Sequence, residues 1–76
     1  MGTGQRNVTE QLVAACSIVP GDQLRLGDGR LVVVSDVALS SIDRSCNLHV
    51  EDIDGRRWVI MTSEGSGYWV VTTDGR

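Results

Sequence analysis

The sequence predicts a mainly β fold, with a short N-terminal helix followed by a five-stranded, strongly bent antiparallel barrel. Composition points that way first: Val, Ile and Leu supply 21 of 76 residues, eleven of them Val, and Phe is absent, a β-branched bias that suits strands. Beyond Gly21 the apolar residues recur every second position, the period of a half-buried strand. Asp-Gly pairs at Asp28-Gly29 and Asp54-Gly55 then break the chain where hairpins turn. A chain of 8.2 kDa buries only about 60% of its unfolded surface, which allows one small core. The expected organisation is therefore one domain over residues 7–76, with residues 1–6 as a flexible start.

The helix is predicted over residues 7–18. Asn7 offers a cap and Glu10 stands three residues on, the spacing of a capping box. Val8, Leu12, Val13 and Cys16 then fall on one helical stripe, and Pro20-Gly21 ends it. Strands follow at 23–26, 30–38, 47–53, 56–62 and 68–73, separated by the two Asp-Gly turns, a polar stretch at 40–45 and the Ser63–Gly67 loop. Both Asp-Gly pairs read as two-residue turns in which the glycine takes positive φ. One short helix and five short strands with tight turns suit a small barrel of the SH3-like kind.

That order also resembles the Sm-like proteins, a subclass of such barrels, over about residues 8–73. Leu24-Arg-Leu-Gly-Asp-Gly-Arg30 is similar to the family's second-strand hairpin, and Asp43-Arg-Ser-Cys-Asn47-Leu-His-Val-Glu-Asp52 resembles the Asp-x-x-x-Asn-Leu-x-Leu core of its first motif. Glu64-Gly65 before Tyr-Trp-Val-Val resembles the second. The resemblance implies a pocket for single-stranded RNA carried by Asp43 and Asn47, with Arg44 as the nearest cation. Ser45 stands where the family stacks a base, and Glu64 where it has Arg; both weaken such a pocket. A second comparison competes: Pro-Gly-Asp-x-Leu-x-Leu, then Asp-Gly-Arg and a Val-rich strand, is also similar to barrels of the KOW and Tudor type. The two agree on the barrel and differ on the ligand.

Charge narrows the partners. Ten acidic against seven basic residues, every one Arg, give a net charge of −3, poorly suited to neutralising the phosphates of duplex DNA. No apolar run is long enough to span a bilayer, so the expectation is a cytoplasmic protein whose two cysteines, Cys16 and Cys46, are reduced.

Catalytic and metal chemistry find little footing. Cys46 and His49 fall on opposite faces of one strand, which spoils joint ligation. Ser45, His49 and Asp52 hold the ingredients of a triad, but alternation separates His49 from Asp52 and no glycine-rich elbow precedes the serine. The acidic Glu51, Asp52 and Asp54 read as a solvated turn shielded by Arg56-Arg57. No cofactor, metal or enzymatic activity is expected.

Three segments, Leu31–Val34, Trp58–Met61 and Tyr68–Val71, are apolar on both sides, so one face fills the interior and the other needs a cover larger than a short helix. The expected function is a small non-enzymatic interaction module that binds a protein partner and assembles with copies of itself. Trp69 and Val71, with Trp58 and Tyr68, are its interface residues, one Trp filling the core and the other exposed. The alternative is the single-stranded RNA-binding barrel of the resemblance.

Overall fold

The computed structural model describes residues 7–74, and the flexible start expected for residues 1–6 lies outside them. The chain is mainly β, as composition and period suggest, but it forms one six-stranded antiparallel sheet. The strands are β1 (Asn7–Ala14), β2 (Gln23–Arg25), β3 (Leu31–Leu39), β4 (Ser45–Asp52), β5 (Arg57–Ser63) and β6 (Gly67–Asp74), in the spatial order β1-β6-β2-β3-β4-β5.

The expected helix over residues 7–18 is not there. Its span is strand β1 followed by a single 3-10 turn, Ala15–Ser17. Helices of this length are marginal without tertiary support, and Val8, Thr9 and Val13 are β-branched and stiff. Pairing with β6 along the whole strand, from Asn7↔Asp74 to Ala14↔Gly67, gives this segment more than a helix would. Glu10 does not close a capping box; its Oε1 accepts from Arg25 Nε at 2.9 Å.

The barrel is corrected too: the sheet is open, neither closed nor strongly curled. Closure of the five expected strands would bring β5 to the free side of β6. Here β6 pairs β1 on one side and β2 on the other, so no edge of β6 remains for β5 to join. The molecule is accordingly elongated, with principal extents of 54 × 24 × 20 Å.

Both hairpin glycines take positive φ, 88° at Gly29 and 84° at Gly55, but neither turn is the two-residue kind. Leu26 N donates to Arg30 O and Gly29 N to Leu26 O; Asp52 N donates to Arg56 O and Gly55 N to Asp52 O. Each loop thus has three residues ending in a left-handed glycine, the commonest alternative. Asp28 and Asp54 keep negative φ, and carboxylates brace the turns: Arg30 N donates to Asp28 Oδ1, and Asp54 N and Arg56 N both donate to Asp52 Oδ1.

One face of the sheet builds the core. Leu24, Val32, Val34, Cys46, Leu48 and Val50 are fully buried, and Ala15 and Ile18 from the 3-10 turn region join them. Backbone bonds seat that turn, Ala15 N donating to Ser66 O and Cys16 N to Glu64 O. Alternation is strict on β4, where Cys46, Leu48 and Val50 face in and their neighbours do not. β3 keeps phase across a bulge between Val34 and Asp36, which lets Val37 return to the core side after two outward residues.

Candidate functional site

The second face of the sheet carries the first candidate surface. Register places Leu12 opposite Trp69, Trp69 opposite Arg25 and Arg25 opposite Leu31, one row across four strands. Leu12, Trp69 and Leu31 are exposed along it, Trp69 by 47%. Arg25 interrupts the row only by charge, since its guanidinium turns aside to Glu10. The next row crosses all six strands as Glu10, Val71, Gln23, Val33, Glu51 and Arg57. Its ends carry ion pairs, Glu10–Arg25 at 2.9 Å and Glu51–Arg57 at 3.0 Å. Leu31 and Val33 continue into a groove of about 550 Å³ with Ile53 on its wall and Arg30, Glu51 and Asp52 at its rim.

The residues expected at an interface separate on this geometry. Trp69 is the exposed tryptophan. Trp58 is half-buried and packs against the core cluster, with the Arg30 guanidinium 5.8 Å from its ring centroid. Tyr68 also packs on the core. Val71 faces outward by register but is only 7% exposed, flanked by the Glu10–Arg25 pair. Leu12 and Leu31, which join Trp69 in its row, were absent from the sequence expectation. Leu12 becomes legible as a neighbour of Trp69 only once β1 is a strand, because the expected helix sets it on a stripe with Val8, Val13 and Cys16, while Leu31 stands in an expected strand but joins the row only through the β6–β2–β3 register.

The second candidate surface is an open cleft of about 370 Å³ lined by Asp43, Arg44, Ser45, Met61, Thr62 and Ser63. It brings Asp43 and Arg44 together. Asn47 lies one step away, opposite Met61 on the β4–β5 ladder, with its Oδ1 buried and unpartnered. Asp43 Oδ1 accepts from the Ser45 hydroxyl at 2.7 Å and from Ser45 N at 3.1 Å. The Ser45 hydroxyl, and after it the Ser40 side chain and Ser45 N–H, hold the Asp43 carboxyl below its ordinary value. Arg44 sits at φ 57°, the one described non-glycine residue with positive φ. Glu64 N donates to its carbonyl at 3.0 Å, while its guanidinium reaches Glu64 Oε1 at 3.8 Å.

The cysteines and His49 do not converge. Cys46 is buried, its thiol pointing at the Ala15 carbonyl at 3.8 Å, and burial raises its pKa. Cys16 is exposed, and His49 stands on the opposite face of β4 from Cys46. Ser45 spends its hydroxyl on Asp43, and Asp52 spends Oδ1 on its own turn. Among the described residues no three His, Cys, Asp or Glu side chains are grouped as a metal site would need.

Comparison with protein-family models, with curated proteins and with solved structures finds no match for this chain.

Proposed function

We propose that this protein is a non-enzymatic interaction module that binds a protein partner through the outer face of its sheet and assembles with copies of itself. The observation that carries the reading is the row Leu12, Trp69, Arg25 and Leu31, whose three apolar members are exposed and whose Leu31 end is continuous with the groove at Val33 and Ile53. A soluble chain rarely leaves a tryptophan beside a leucine uncovered, with a second leucine one strand further on, and tryptophans near the centre of apolar patches are the residues on which interfaces most depend. The rim of Arg30, Glu51 and Asp52 would fix the orientation of a segment lying in the groove.

The test is selection of peptides against the native chain from a random library, followed by affinity measurement. Selected peptides are expected to shift the amide signals of Leu31, Val33 and Trp69. Trp69→Ala is expected to weaken them by about thirtyfold, the equivalent of a hot-spot loss of about 2 kcal/mol. Failure to select any binder, or binding indifferent to Trp69→Ala, would overturn the reading.

A second reading is single-stranded RNA binding at Asp43, Arg44 and Asn47. It is favoured by the strained Arg44 backbone beside an open cleft, since strain of this kind collects at binding sites, and by the unpartnered Asn47 Oδ1. Against it stand Glu64, which takes up the Arg44 charge, and the ionised Asp43. Oligo-uridine titrated at two salt concentrations decides the matter. Salt-dependent binding abolished by Asn47→Ala supports this reading, and no binding at low salt ends it.

A further inference from the structure

We infer that the edge of β5 pairs, antiparallel and in register, with β5 of a second copy of this chain. The inference rests on the self-assembly half of the proposed function and supplies the surface through which it happens.

The sheet ends on β1 and β5, and the two edges are not alike. β1 carries Glu10 at its middle, ion-paired to Arg25. β5 from Trp58 to Thr62 is Trp-Val-Ile-Met-Thr, with no charge, proline, glycine or bulge to guard it. Edges of soluble sheets are normally blunted by one of those devices. The hydrogen bond from Asp52 N to Arg56 O sets the phase of the β4–β5 ladder. The bonded pairs above it are then Val50–Trp58, Leu48–Ile60 and Cys46–Thr62. It follows that the N–H and C=O groups of Arg57, Val59 and Met61 point away from β4, and no strand among the described residues meets them.

A second copy fits this edge better than any other strand of the molecule. With a two-fold axis through Ile60, Val59 of each copy lies opposite Met61 of the other, and these residues exchange both backbone bonds. The outward phase read from the hairpin permits that match, because Val59 and Met61 both turn their backbone groups to the free edge. Val59 and Met61 are exposed on the outer face, Met61 by 81%, and each covers the other across the seam. Trp58 lies opposite Thr62, and Arg57 opposite Ser63, so the cations fall at opposite ends and no like charges meet. Such an isologous contact closes on itself. Pairing β5 with the β1 edge of another copy would repeat without closing and grow a filament.

The experiment combines solution mass with amide exchange on the full chain. Light scattering behind a sizing column is expected to give twice 8.2 kDa at high concentration, falling towards the single chain on dilution. Exchange at Trp58, Ile60 and Thr62 amides is expected to be slow at every concentration, whereas Val59 and Met61 become protected only as the mass doubles. Val59→Lys with Met61→Lys sets like charges opposite each other in this register and is expected to raise the dimer Kd about tenfold or more. Val59→Glu with Met61→Lys sets opposite charges across the same seam and is expected to restore the dimer. A single chain at all concentrations overturns the inference together with self-assembly. An oligomer with Val59 and Met61 amides freely exchanging, indifferent to both charge variants but lost in Trp69→Ala, overturns the β5 edge alone and moves assembly to the outer face.

Discussion

At the scale of single residues, hydrogen bonding rather than burial decides the ionisation that matters. Asp43 is exposed, yet its carboxylate accepts two bonds from Ser45. Both favour the charged form, so its pKa lies below the ordinary 3.8. A depressed carboxylate contributes its stability in full above the ordinary range and loses it as the pH falls through the lowered folded value. The tie between Asp43 and Ser45, and with it the shape of the cleft, is therefore expected to persist at neutral pH and to loosen only in acid below pH 3.8. A carbon-detected titration of the Asp43 carboxyl should show a midpoint under 3.8, and Ser45→Ala should move it back up. A midpoint at or above 3.8 in the unaltered chain would contradict the assigned bonds.

Elements of this chain differ in how far local chemistry alone specifies them. The Asp-Gly turns were legible because a glycine at positive φ has few substitutes. An added Cβ at Gly55 would meet nothing within 4 Å, so Gly55→Val tests backbone conformation without a clash. It is expected to cost on the order of 1–2 kcal/mol, read as a lowered melting temperature, and an unchanged one would remove the left-handed assignment. Strands β2 to β6 were legible to within two residues from period and turn chemistry. β1 was not, since Val8, Leu12, Val13 and Cys16 fit a helical stripe as well as they fit a strand. What settles the matter is β6, sixty residues on, whose Tyr-Trp-Val-Val edge needs a partner that no local pattern reveals. The barrel failed for the same reason, because a sixth strand on β6 occupies the position that closure requires. The site followed suit: Asp43, Arg44 and Trp69 were legible as residue types in polar or aromatic contexts, while Leu12 and Leu31 needed the long-range register.

For the whole molecule, the ratio of core to surface governs behaviour. A compact chain of the described length has a radius of gyration of about 11 Å, and this one has 13.7 Å. The fully buried set rests on a few side chains of β2, β3 and β4 around Leu48, and an open sheet of this size has little stability to spare. Leu48→Ala removes a side chain with no solvent exposure, at a cost of about 2–5 kcal/mol. At ~4–8 °C per kcal/mol for a domain of this size, the melting temperature is expected to fall on the order of 10 °C or more. If two copies share a seam along β5, folding and pairing are linked, and only the folded chain presents the edge. Mass action then raises the melting temperature with protein concentration, in the variant as in the parent. Calorimetric scans from about 10 μM to about 1 mM are expected to show the Leu48→Ala transition moving upward by several degrees. A transition fixed in temperature across that range would mean that the core folds without help from a second copy.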